Sequence, residues 1–165
     1  MQSRRLGLVV AALIFGCSGP AFAQTATANL SISATVLGTC SISTTAVNFG
    51  TYDPVVANAA TALDSTGSVV VTCTKGAGTR IDLDLGAHTS GTTRRMLGAP
   101  DFLTYELYQD SGRTLVWGSG VIAGQTITPA LNTAPRTFTV FGRVAAGQNV
   151  GAASYTDTVV ATINF

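Results

Sequence analysis

The stretch Tyr155 to Phe165 (YTDTVVATINF) alternates side chain by side chain up to the last residue, and a second segment with the same grammar, Ala26 to Val36 (ATANLSISATV), stands near the start. Successive side chains of a strand point to opposite faces, so each segment sorts into two sets. In the first, Ala26, Ala28, Leu30, Ile32, Ala34 and Val36 face inward, against Thr27, Asn29, Ser31, Ser33 and Thr35. In the second, Tyr155, Asp157, Val159, Ala161, Ile163 and Phe165 oppose Thr156, Thr158, Val160, Thr162 and Asn164. Eleven residues exceed the usual strand and reach roughly 35 Å. Nothing after Phe165 is there to pair with the terminal strand, which predicts an open edge that invites another strand. Two partners stand open. Ala26–Val36 folds back within its own domain, or it is donated to a neighbouring copy, where main-chain hydrogen bonds bind it and alternate side chains fill pockets. Head-to-tail donation of that kind does not close, and its product is a filament.

Residues 1–23 read as a cleaved signal peptide: Arg4 and Arg5, then apolar Leu6 to Phe15, then Ala21-Phe22-Ala23 before Gln24. Ten apolar residues are too few to anchor in a bilayer, so no stable membrane insertion is expected. Gly7 and Phe15 are the wrong residues for a twin-arginine signal and a lipoprotein box respectively. Residues 24–39 then form the N-terminal strand and linker, and residues 40–165 one β-domain. Cleavage removes Cys17 and leaves Cys40 and Cys73, which in an oxidising compartment have one intramolecular pairing. That bridge stabilises by roughly 3 to 4 kcal/mol through loop closure. Without Arg4 and Arg5, nine basic residues become seven against eight acidic ones, a net charge near −1 that offers no face for nucleic acid.

Between the end strands lie strand candidates at Cys40–Ile42, Ala46–Phe49, Ser68–Cys73, Arg80–Leu85, Leu103–Tyr108, Thr114–Trp117, Gln125–Ile127 and Arg136–Arg143. Their spacing predicts an all-β sandwich. Ile81, Leu83 and Leu85 alternate with Asp82 and Asp84, which are read as wet-face carboxylates, and Val69-Val70-Val71 reads as a strand covered on both faces. Asp110-Ser111-Gly112 predicts a hairpin loop. Asp53–Gly67 and Gly86–Pro100, rich in Ala, Gly and Thr, are read as loops.

Candidate chemistry is sparse. His88 is the single histidine and reads as a solvated loop side chain; Arg94-Arg95 reads as loop without a phosphate-binding context. Two cysteines without His partners do not make a zinc site, and Asp82 and Asp84 lack a calcium loop. No Ser sits in a nucleophile elbow, so neither enzyme activity nor a cofactor or metal is expected. Trp117 with Tyr105 and Tyr108 is the best case for a sugar platform; packing is the more ordinary use of such residues, as it is for Phe49 and Tyr52.

The ordered set Cys40-Ser41-Ile42, FGTYDP at 49–54, VTCTKG at 71–76, Arg94-Arg95-Met96, LTYELY at 103–108, Val116-Trp117-Gly118, Phe141-Gly142-Arg143, Gly147-Gln148-Asn149, YTDTV at 155–159 and Ile163-Asn164-Phe165 resembles the spore coat protein U domain family over nearly all of residues 26–165. The resemblance implies an incomplete immunoglobulin-like β-sandwich completed by a donor strand from another subunit. It also implies a structural subunit of a chaperone-usher pilus or a secreted coat, passing through the periplasm to the cell surface and serving adhesion or biofilm formation. Its implied partners are identical or related pilin subunits, a periplasmic chaperone and an outer-membrane usher. By position Ala26 to Val36 is then the donor, anchored by Leu30, Ile32 and Val36, and Tyr155, Val159, Ala161, Ile163 and Phe165 flank the acceptor groove. A self-contained coat protein or carbohydrate-binding sandwich is the alternative.

Overall fold

The structure, a computed structural model, describes residues 19, 20, 22–120 and 122–165; the charged and apolar regions of the expected leader lie outside them. Every described residue up to Ala34 is exposed and belongs to no strand. The body, Thr35–Phe165, is a separate unit built wholly from strands and their connections.

The strands are β1 (Cys40–Thr45), β2 (Leu63–Cys73), β3 (Arg80–Leu83), β4 (Arg94–Gly98), β5 (Asp101–Tyr108), β6 (Gln125–Thr126), β7 (Arg136–Val144) and β8 (Ala161–Asn164). They form two antiparallel sheets, one in the order β1-β2-β7-β5-β4 and one in the order β6-β3-β8. Period-two burial explains why. Val69, Val71 and Cys73 of β2, Leu103, Tyr105 and Leu107 of β5, and Val140 and Val144 of β7 turn one face inward. Ile81 and Leu83 of β3 meet them from the other sheet, with Trp117 and Ile127 closing one end. The result is the expected all-β sandwich, with β1 and β8 each at the edge of its sheet.

Several expectations are corrected. Ala26–Val36 is not a strand here, because a strand needs a partner edge and its apolar side chains stand in water: Leu30 and Ile32 are 84% and 88% exposed. Ala46–Phe49 also joins no ladder. Instead Val47 and Phe49 lie over Gly67 and Gly142, where any Cβ would collide with them, and Ser65 Oγ donates to the Asn48 carbonyl. The segment 53–67 is a loop only at first. Asp53 accepts from the Val55 and Val56 amides, which holds its carboxyl below the usual range, and β2 starts at Leu63. The segment 86–100 hides β4, paired with β5 from Arg94↔Tyr105 to Gly98↔Asp101. Thr114–Trp117 contributes a single bridge, Tyr108↔Val116, across the expected hairpin loop.

The charged residues depart from expectation for one shared reason: a second layer covers them. Arg94 is wholly buried on β4, paired with Glu106 and donating to the Leu83, Asp84 and Trp117 carbonyls, so it ties the two sheets together. Arg95 donates to the His88 carbonyl and stacks over Phe102. Asp82 is 8% exposed and accepts from Arg80 and Asn164, and Asp84 accepts from the Gly86 and Val160 amides. Neither faces open water. The aromatic residues, by contrast, are structural as expected. Trp117 is 0% exposed with its indole on the Ile81 carbonyl, Phe49 packs 6.2 Å from Tyr105, and Tyr52 donates to the Ala145 carbonyl.

Candidate functional site

Because β1 ends one sheet and β8 ends the other, each keeps an unladdered edge, and the two edges face one opening into the core. A cleft of about 280 Å³ lies there. Thr44, Ala46 and Val47 form one wall, Asp157, Val159 and Ala161 the other, and Val69, Leu83, Met96, Tyr105, Leu107 and Val140 the floor. A wider opening of about 870 Å³ adjoins it, sharing Ala46, Val47, Phe49 and Met96 and reaching Leu103, Val144 and Val150, with Val55 and Gly151 to Ser154 at its rim. Core side chains are therefore reachable along a trough rather than sealed beneath a strand. Edges of this kind are normally paired, covered or blunted with charge.

The terminal wall is held by more than its short ladder with β3. Thr156 pairs with Leu97 of β4 through two main-chain bonds of 2.9 and 3.1 Å, after which the chain crosses to the other sheet. The Ala87 amide donates to the Thr158 carbonyl and the Asp84 amide to the Val160 carbonyl. Asp157 is the central pin: its carboxylate accepts from the Ala87 and His88 amides, from the Tyr105 hydroxyl at 2.7 Å, and pairs with His88 Nδ1 at 3.0 Å. Burial first, and the Asp157 carboxylate second, push the Tyr105 phenol well above its ordinary range. His88 is thus a partner of the wall, not the solvated loop side chain expected.

Of the expected site residues, Cys40 and Cys73 face each other across β1 and β2 and are bridged. Tyr155, Val159, Ala161 and Ile163 are half-buried in the alternation expected; the first three line the opening, whereas Ile163 packs against the core outside it and Phe165 is 63% exposed and lines no part of it. Regular strand covers only Ala161–Asn164, because the crossing between sheets interrupts the ladder. Ala26, Ala28, Leu30, Ile32, Ala34 and Val36 are all exposed. The residues that sequence reasoning missed are Asp157, Met96 and Val47. Asp157 carried a signal, a carboxylate at an inward position of an otherwise apolar set, which calls for buried donors; Met96 and Val47 carried none, since each lies in a segment assigned the wrong structure.

Residues 26–162 match the Spore Coat Protein U domain family. The chain is 44% identical to Protein U of Myxococcus xanthus over 95% of its own length and 94% of that protein's. Among solved structures it is similar to a chain of the CsuC-CsuE chaperone–tip adhesion subunit pre-assembly complex from the archaic chaperone-usher Csu pili of Acinetobacter baumannii. That likeness has a TM-score of 0.56 at 25% identity over 79% of this chain, which spans 40% of that one.

Proposed function

The chain belongs to the Spore Coat Protein U domain family, a family of pilus and coat subunits, and from that premise we propose that it is a structural subunit of a secreted surface fibre that polymerises by donor-strand complementation. One observation carries the reading: an apolar trough opens between two sheet edges while the alternating segment 26–36 presents its own apolar side chains to solvent. Leu30 to Val36 and the wall from Tyr155 to Ala161 are seven residues each, roughly 20 Å of extended chain, so three apolar anchors match the reach of the trough. Burying Leu30, Ile32 and Val36 contributes roughly 1.5 to 3 kcal/mol apiece. Ala26, Ala28 and Ala34 let the backbones approach closely.

Before assembly the trough needs another cover, and a periplasmic chaperone fits that need. The similar Csu complex is one of a chaperone with a subunit before assembly, which supports that partner. An outer-membrane usher, export to the cell surface and a role in adhesion or biofilm formation complete the reading. Deletion of residues 24–36 behind an intact leader should give a secreted subunit that forms no fibres, and a synthetic peptide of residues 26–36 should bind the truncated subunit. Fibres from the truncated chain would falsify donation. The near full-length likeness to Protein U favours a second reading, deployment in a coat rather than a pilus; electron microscopy of the surface on which the protein accumulates separates the two.

A further inference from the structure

At the end of the domain away from the trough's wide rim, three side chains converge on a point that only glycine leaves free. Gly78 has φ +82°, and a Cβ there would come 2.9 Å from Cys73 Sγ, 3.5 Å from Cys40 Sγ and 3.4 Å from a guanidinium nitrogen of Arg136. Strand register explains the meeting. Cys40 stands opposite Cys73 on β1 and β2, and Arg136 opens β7 opposite Val71, so all three side chains leave the same face of the sheet at the same end. Arg136 donates one bond, to the Thr128 carbonyl. Among the described residues its Nε and second terminal nitrogen are buried without a hydrogen-bond partner and no carboxylate pairs with it. Two buried guanidinium donors left unused are costly, and the Phe138 ring 5.9 Å away offers them no acceptor, so a neighbour that turns negative would stabilise them.

We propose that Arg136 makes the Cys40–Cys73 bridge a directed thiol-exchange site, in which Cys40 is the sulfur attacked and Cys73 the sulfur that leaves as a thiolate beside the guanidinium. Cys73 is 2% exposed, whereas Cys40 is half-buried on an edge strand next to the exposed residues 37–39, so an incoming thiol reaches Cys40. A glutathione thiolate attacks Cys40 Sγ; the Cys40–Cys73 bond breaks, and its electron pair stays on the Cys73 sulfur. Read backwards, the same step is formation. A disulfide donor leaves half of itself on Cys40, the Cys73 thiolate attacks that sulfur, and the donor's thiolate departs. A cation favours the thiolate form, and a less basic leaving thiolate leaves faster. The charged side chains of the neighbouring elements are Lys75, which is exposed, and Arg80, which is exposed and paired with Asp82; β1 and residues 128–135 supply none. Arg136 is a positioning residue here, and its role holds whether the subunit serves in a fibre or a coat.

The test is the rate at which reduced glutathione opens the bridge in the secreted mature protein, followed from pH 6 to 9 in wild type, Arg136→Gln and Arg136→Lys. Arg136→Gln should open about 3- to 10-fold more slowly, with Arg136→Lys recovering most of the rate. Acid quenching and peptide mapping should find glutathione on Cys40. A purely structural Arg136 predicts the opposite sign, since loosened packing exposes the bridge and speeds its reduction. Faster opening in Arg136→Gln, an unchanged rate, or glutathione found mainly on Cys73 each overturns the proposal.

Discussion

The two terminal segments share one sequence grammar and meet opposite fates. Both alternate small or apolar side chains with Thr, Ser or Asn over eleven residues, apart from Asp157 and Val160 in the second, yet 26–36 lies exposed without a ladder while 155–165 is bound to both sheets. Alternation states that a segment can be half-buried; it does not supply the surface that buries it. What separates the two is a set of polar pins present only in the second. Asp157 gathers two amides, a phenol and an imidazole, and Asp84 gathers the amide of Val160. The first segment has Ala28 where the second has Asp157 and carries no carboxylate, so in a lone subunit only one of the two is held in place.

The bridge marks the boundary between these regimes, because Cys40 is the first residue of β1 and the body's first strand starts there. Cys40→Ser removes the tie between β1 and β2 and should lower subunit stability by roughly 3 to 4 kcal/mol, measured by urea unfolding, with the β1 wall of the trough exchanging amide hydrogens soonest. Equal stability with and without the bridge would mean that the ladder from Cys40↔Cys73 to Thr45↔Ser68 holds the wall unaided.

Asp157→Ala makes the second segment resemble the first. It strands the Tyr105 hydroxyl and the His88 amide in a half-dry site, while the Ala87 amide keeps the Thr158 carbonyl, and should cost about 2 to 3 kcal/mol, with protection lost first along 155–160. If the terminal segment stays protected, its main-chain bonds to Leu97, Ala87 and Asp84 suffice and the comparison rests on the ladder alone.

Legibility in the sequence divides along the same line. The burial face of β5, the apolar side of β3, the cysteine pair and the alternation of the terminal wall were legible, because each depends on a local period or a residue type with few uses. Lost were β4, whose RRMLG run reads as loop beside Gly91 and Pro100, and the burial of Asp82 and Arg94, which depends on what the opposite sheet brings over them. Ala46–Phe49 failed for a related reason. Its alternation is real, but it packs across two glycines of neighbouring strands rather than bonding to an edge.

A matched pair of truncations sharpens the contrast further. Ile163→Ala should destabilise the lone subunit by about 1 to 3 kcal/mol, since Ile163 is packed against the core beside β3. Leu30→Ala should change the same measurement by less than about 0.5 kcal/mol, because Leu30 is already in water. On assembly the order reverses: fibres of the Leu30 variant should dissociate at lower denaturant, by roughly 1.5 to 3 kcal/mol per joint. Equal effects of the two substitutions on the lone subunit would show that segment 26–36 packs somewhere in solution.

The smallest effect lies outside the trough and serves as its control. Asp64 on β2 takes two bonds from Arg143 on β7 and lies 3.2 Å from Arg113, and these contacts, the Arg143 hydrogen bonds foremost, hold its carboxyl below the usual carboxylate range. A folded-state value below the unfolded one stabilises the native protein at pH above about 4 and loses that contribution as pH falls through the lower value. The side chains of the pair are 35% and 40% exposed, so solvent screening keeps the effect below about 1 kcal/mol. Asp64→Asn should therefore flatten the stability profile slightly on the acid side and leave assembly unchanged. An acid-sensitive loss of fibres that persists in that variant would have its source outside the Asp64–Arg143 pair.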